Sequence, residues 1–368
     1  MLPLADIEVL DFSTLLPGPL ATLILAEAGA NVTKVERPGR GDEMRSYVPR
    51  FGDASVNFAL LNRGKQSLEL DLKAPDARAR LRPRLERADV LVEQFRPGVM
   101  DRLGLGYEAV SAINPGIVYC SLTGYGQDGP RAGTAAHDLN YVADTGLLDL
   151  VAGEGGEPVL PPALVADIGG GAYPAVINVL LALAERTRTG RGAHLDVAMA
   201  DNVFPFLYWA LGAGSAAGRW PGRGAELLTG GSPRYRLYRT ADDRFVAAAP
   251  LEERFWASFC ELVELDEALR DDARDPAATA AAIAERIAAR PAEHWRQRFE
   301  GTDVCCSIVQ SVQEAVDDEH FRARGIFARR VSDGGGAAIP ALPVPVADAF
   351  RRPEDELGFP ALGEREAV

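Results

Sequence analysis

The sequence predicts an α/β fold: an open, mostly parallel sheet followed by a second, smaller α/β domain. Three observations carry this. The first forty residues read as a strand–helix–strand unit. Short, almost wholly apolar runs recur further on, as strands buried on both faces do. Their alternation with helical stretches continues past residue 190, the pattern of a sheet layered with helices. A length of 368 residues is also too great for one small core and fits two domains.

Residues 7–12 form a short apolar strand. Pro19 opens a helix, where its missing N–H costs nothing, and Gly29 closes it. Residues 31–36 are the next strand, and 88–92 and 116–122 read as buried parallel strands. A strongly apolar helix spans 172–186, preceded by Asp167-Ile168-Gly169-Gly170-Gly171; the glycines allow close backbone approach and leave amides for an anion or oxyanion. A polar turn at 187–192 leads to a strand at 194–199 containing His194, which reads as structural. Residues 211–231 are rich in glycine and small side chains and read as a surface linker. A strand at 244–249 and helices at 252–265 and 277–290 then give the second region its own core. From about Pro340 the chain is proline-rich and aperiodic, as a segment lying across another surface would be. The expected boundaries are 1–200 for the large domain, 201–230 for the linker, 231–325 for the small domain and 326–368 for a C-terminal segment returning to the large one.

A net charge of −14 disfavours nucleic acid as a partner. The longest apolar run, 174–184, is broken by Asn178 and falls short of the ~18 residues of a membrane span. Asp6 and Glu8 near the start argue against a secretory signal. Four cysteines without a C-x-x-C pattern indicate neither a zinc site nor a disulfide framework, so a reducing cytoplasm is the expected compartment. Within this acidic chain the first third gathers Arg37, Arg40, Arg45, Arg50, Arg63, Lys65, Lys73, Arg96 and Arg102. Such a cluster suggests a site for a polyanionic small molecule.

The loop after the first strand lacks the dinucleotide glycine fingerprint, so Glu36 is a weak ribose acid, and Arg37 beside it argues for phosphate. His137, one of four histidines, follows a glycine-rich turn and precedes Asp138; Asp167 stands thirty residues on. A histidine and a carboxylate converging on one carbon could remove a proton from one face and return it to the other. Each also has a plainer reading: His137 and Asp167 as helix caps, Asp138 and Glu252 as first-turn acids. Cys305-Cys306 could include a nucleophile, but no adjacent histidine motif supports it.

Several blocks, in order, match a known pattern: V-L-D-F from Val9, L-A-E-A-G-A-N-V-T-K-V-E-R-P-G-R-G-D from Leu25, and N-R-G-K-Q-S-L-E-L-D-L-K from Asn62. V-L-V-E-Q-F-R-P-G-V-M-D-R-L-G-L-G-Y from Val90 and S-L-T-G-Y-G-Q-D-G-P from Ser121 follow. Over nearly its whole length the chain resembles the family III CoA-transferase superfamily (the CaiB/BaiF group), and within it the branch that racemises 2-methylacyl-CoA. The resemblance implies a large Rossmann-like domain, a smaller α/β domain and an interlocked homodimer whose active site lies between domains of different subunits. It implies that Arg37, Leu70, Lys73, Gln94, Phe95 and Arg102 hold the CoA nucleotide, with Arg96 close by and Tyr141 in the matching block that follows His137. It makes His137 and Asp167 the two acid/base residues, gives Glu252, in P-L-E-E-R-F, the task of orienting His137, and has Asp138 position His137 or touch CoA. An acyl-CoA thioester is the implied substrate. No metal or redox cofactor is implied, CoA being part of that substrate. Ala136 and Pro250 depart from the residues common at those positions, which bears on acyl-group specificity. The alternative within the superfamily is a CoA-transferase with Asp167 as nucleophile.

Overall fold

The computed structural model describes residues 1–153 and 155–365. Its chain divides into two compact units. The first comprises Met1–Thr145, Pro162–Pro205 and Glu319–Val368; the second comprises Gly146–Pro161 and Phe206–Asp318.

The first unit is built on six strands: β1 (Glu8–Asp11), β2 (Asn31–Glu36), β3 (Gln66–Glu69), β4 (Val90–Glu93), β5 (Val118–Thr123) and β6 (Ala193–Ala198). Their order across the sheet is β3-β2-β1-β4-β5-β6, and every neighbouring pair is parallel. This is the order of a doubly wound sheet, with its topological switch between β1 and β4. All positions of β4 and β5 are buried, which is why both read as continuous apolar runs. The core on one side of the sheet packs Leu10, Leu68, Leu91 and Tyr119 against Leu81, Leu85 and Val110. At the sheet edge His194 is structural: its Nε2 lies 3.0 Å from Ser121 Oγ and its ring stacks on Tyr107.

Helix α1 (Pro17–Glu27) starts two residues closer to β1 than Pro19 suggested, with prolines still in its first turn. Gly18 is required there, because a Cβ would lie 2.9 Å from Gln94 Oε1 and collide with Ser13. The apolar helix α3 (Tyr173–Thr189) is preceded by a π-helical segment, Ala166–Ala172. Together they make a 24-residue stretch that is, by length and composition, apolar enough to cross a membrane; half of its most apolar 18-residue window is buried in the protein. The run 174–184 gave a shorter estimate because it stops at the glycines before it and the charged residues after it, neither of which ends the helical structure.

In the second unit, strands Arg236–Arg239, Phe245–Ala248 and Cys306–Ile308 form a small antiparallel sheet. Helices Glu253–Leu262, Pro276–Ala288 and Ala292–Phe299 contribute Trp256, Phe259, Ile283 and Trp295 to its core. The expected linker is not irregular. Residues Tyr208–Ala217 are helical and Leu227–Thr229 form a 3₁₀ turn. Small residues occur there partly because Gly214 lies under the Trp220 indole, where a Cβ would come within 2.3 Å of the ring. The C-terminal segment is likewise more ordered than its prolines suggested. Arg330–Ser332, Ala338–Pro340 and Glu356–Gly358 form a three-stranded sheet. Arg352 donates to the carbonyls of Ala26 (2.7 Å) and Ala30 (3.1 Å) at the end of α1.

Candidate active site

Two cavities open at the carboxyl ends of the strands. The first, ≈ 640 Å³, is lined by Arg37, Leu70, Lys73, Phe95 and Arg102 among others. The second, ≈ 370 Å³, is lined by Leu15, Gln94, Phe95, Arg96, His137, Asn140, Tyr141 and Asp167 among others. Phe95 lines both, so the cavities adjoin across the switch point, where ligands of open α/β sheets bind. Every residue assigned to CoA by resemblance lies on one wall or the other.

The basic cluster separates into two kinds of residue. Arg37, Lys73, Arg96 and Arg102 are exposed on the cavity walls. Arg63 and Lys65 are buried structural cations. Arg63 pairs with Glu27 (2.7 Å), and Lys65 reaches Asp11 (3.3 Å), Thr22 (2.8 Å) and Asn62 (2.9 Å). Burial alone would raise the Asp11 pKa, but Lys34, Lys65 and two hydroxyl donors outweigh it and hold the carboxyl at about 2. Glu36 is likewise structural and not a ribose acid. Its carboxylate receives the Arg45 guanidinium (2.8 and 2.7 Å), the Asp42 N–H (2.9 Å) and the Ser67 hydroxyl (2.5 Å). Arg45 is thereby consumed. Asp42, which the sequence did not single out, accepts the Leu15 N–H (3.2 Å) and pairs with Lys34 (3.0 Å). It thus holds Leu15, at the unusual φ of 62°, on the second cavity's wall.

His137 stands at the N-cap of helix α2 (Asp138–Asp144), so the plainer reading of its position is correct. Capping does not occupy the ring in the way that reading implied. The His137 N–H donates to Asn140 Oδ1 (3.0 Å), and the imidazole lies on the cavity wall. Asp138 is buried, and its Oδ1 accepts the N–H groups of Ala166 (2.8 Å) and Asp167 (2.9 Å). It therefore caps the helix that carries Asp167. These two bonds brace the π-helical segment that carries Asp167; the role expected for Asp138, positioning His137 or touching CoA, stands as a proposal. Asp167 is itself no N-cap.

The amides that could have stabilised an Asp167 carboxylate thus go to Asp138. Burial, then the Asp138 charge, push the Asp167 pKa up from 3.8 to about 6, with His137 pulling the other way. The same field reaches Tyr141, pushed up to about 12 by burial, Asp167, Tyr125 and Asp138. Its hydroxyl donates to Ala136 O (3.0 Å), fixing the chain just before His137. Gly124 makes room for that ring, since a Cβ would lie 2.5 Å from it. Two of the glycines after Asp167, Gly170 and Gly171, serve packing against Met199. A Cβ on Gly170 would sit 2.4 Å from Met199 O, and the Ile168 N–H is already bonded to Leu164 O (3.0 Å).

Glu252 belongs to the second unit, where it is an exposed N-cap whose carboxylate makes no capping bond. Cys305 and Cys306 are poor nucleophiles. Burial pushes the Cys306 thiol up to about 12, and burial and the charges of Glu252 and Asp303 raise that of Cys305.

The family model described as CoA-transferase family III matches residues 4–366. Human alpha-methylacyl-CoA racemase is 37% identical over 328 residues, covering 88% of this chain and 82% of the relative. Acetyl-CoA:oxalate CoA-transferase of Acetobacter aceti is 34% identical over 379 residues, covering 100% and 94%. Among solved structures, Rv3272 of Mycobacterium tuberculosis superposes with a TM-score of 0.86 at 26% identity, covering 99% and 98%. A CaiB/BaiF family protein of Brucella suis gives 0.84 at 28%, covering 99% and 97%. The chain belongs to CoA-transferase family III.

Proposed function

We propose that this member of the family is an acyl-CoA racemase interconverting (R)- and (S)-2-methylacyl-CoA thioesters by 1,1-proton transfer. The observation that carries the reading is that a histidine and an aspartate of raised pKa line one small cavity adjoining a basic, nucleotide-sized one. The thioester carbonyl acidifies the α-proton. His137 takes it from one face, leaving an enolate, and protonated Asp167 delivers a proton to the opposite face; the reverse direction exchanges the roles. Each group must visit both protonation states, and an aspartate near 6 does so around neutrality far better than one at 3.8. Gln94 is the proposed donor to the enolate oxygen in place of the Gly169 amide. Its Oε1 accepts the Gly18 N–H (3.1 Å), which leaves its NH₂ as the free end.

Glu252 is assigned the orienting of His137. Glu252→Gln should then slow α-proton exchange while leaving CoA affinity unchanged; an unchanged exchange rate removes Glu252 from the mechanism. We assign the active form to an interlocked homodimer in the cytoplasm. Ile177, Leu180 and Leu181 on α3 are exposed apolar side chains of the kind a second copy covers. Sedimentation at twice the chain mass checks the dimer.

The second reading, CoA transfer through an Asp167 acyl adduct, is favoured by the similarity to the oxalate transferase. One incubation separates the two: a single epimer of a 2-methylacyl-CoA in heavy water, without acceptor acid. Deuterium entering the α-carbon with loss of optical purity supports racemisation. Absence of exchange, with CoA passing to an added free acid, sinks it.

A further inference from the structure

We propose that a third cavity, beside the nucleotide cavity, binds a phosphate group through Arg40 and Arg50. The cavity, ≈ 900 Å³, is walled by Arg37, Arg40, Arg45, Tyr47 and Arg50 and bounded by Ala361 and Leu362. It shares Arg37 and Glu43 with the nucleotide cavity, so the two are neighbouring chambers on either side of the 37–43 turn. That turn is held in place. Glu36 anchors Asp42 and Arg45, and a Cβ on Gly41, at φ 64°, would meet Glu36 Oε1 at 2.6 Å.

The charges around this chamber are unevenly compensated. Arg45 is neutralised by Glu36, and Arg37 lies 3.5 Å from Glu43. Arg50 donates to the carbonyls of Arg45 and Asp53 (both 2.6 Å) and, among the described residues, has no ion pair, although the acids Glu43 and Asp53 also line the chamber. Arg40 is exposed and, among the described residues, has neither hydrogen-bond nor ion-pair partner. Two guanidiniums without an ion pair facing one chamber of a protein of net charge −14 are a local exception. A planar guanidinium binds a phosphate through two parallel N–H bonds. The phosphate has two possible sources: the acyl-CoA itself, reaching past Arg37, or free phosphate. The first source rests on the function proposed above; the second does not.

Calorimetric titration of the full-length protein with inorganic phosphate, CoA and dephospho-CoA, repeated on Arg40→Ala and Arg50→Ala, tests the site. Arg40 is exposed and makes no hydrogen bond or ion pair among the described residues, so its loss should leave the fold intact, and a thermal melt checks this. Removing one charge-assisted contact should weaken phosphate binding by about tenfold. If the 3′-phosphate of CoA is the occupant, CoA affinity falls by a similar factor in Arg40→Ala while dephospho-CoA affinity does not change; if its pyrophosphate is, both fall. If free phosphate is the occupant, only the phosphate titration changes. Unaltered affinity for phosphate and for CoA in both variants overturns the proposal. Arg40-dependent phosphate binding by a protein that does not bind CoA would sink the acyl-CoA reading and leave the phosphate site standing.

Discussion

His137→Ala is expected to reduce α-proton exchange from a 2-methylacyl-CoA by about 10²–10⁴-fold, the usual worth of a positioned general base or acid. Exchange is measured by mass spectrometry of the recovered thioester in heavy water. CoA affinity should stay within a factor of about two, because Arg37, Lys73 and Arg102 lie in the other cavity. Folding should survive as well. The helix-capping bond at this position uses the His137 backbone N–H and the Asn140 side chain, both kept in the variant. A variant that folds and binds CoA but no longer exchanges isolates the proton-transfer role. If it exchanges at the wild-type rate, His137 is only a helix cap and the racemase assignment loses its base. If it also moves CoA to a free acid, Asp167 is acting alone as a nucleophile.

The fold was largely legible because its strands are buried on both faces. β2 was read to the residue, and β4 and β5 to within two; β4 and β5 are buried at every position and mostly apolar, while β2 was legible despite Thr33, Lys34 and Glu36 because its apolar residues follow a helix closed at Gly29. β3 escaped for the opposite reason. Gln66-Ser67-Leu68-Glu69 is mostly polar, and Ser67 is tolerated inside only because it donates to Glu36. The helical stretch after Tyr208 escaped because glycine and alanine read as linker when the Trp220 ring they accommodate cannot be seen. At the site, residue types were legible and partnerships were not. Asp138 beside His137 suggested a pair acting together; that its carboxylate also meets amides 28 and 29 residues away could not be read from the sequence. The cluster of basic residues was visible, but Arg63 and Lys65 in the core and Arg37 and Arg40 at the surface look alike in a sequence. Only burial separates a structural cation from one left to bind a ligand.

Asp167→Asn is expected to abolish exchange while making the folded protein more stable at alkaline pH. The loss of function follows from the two-base scheme, since an amide can neither deliver nor accept the proton; a fall of about 10²–10⁴-fold is again expected. The stability change follows from linkage. The Asp167 carboxyl titrates at about 6 in the folded protein and near 3.8 when exposed, so folding disfavours its ionised form. A raised carboxyl of this kind contributes stability that is fully present below pH 3.8 and lost as the pH rises through about 6. The shift would be worth about 3 kcal/mol at full strength, reduced to ~1–2 kcal/mol for a group partly open to solvent. Asparagine has no ionised form to disfavour. Relative to wild type, the variant should therefore gain ~1–2 kcal/mol between pH 3.5 and pH 8, read from denaturant unfolding at both pH values. The Asp138 contact to the residue-167 N–H is unaffected by the change, so the gain isolates the side chain. If the difference between variant and wild type is the same at both pH values, Asp167 is not held against its ionisation by Asp138 and burial. Its fitness as the second acid would then have to come from the bound substrate rather than from the fold.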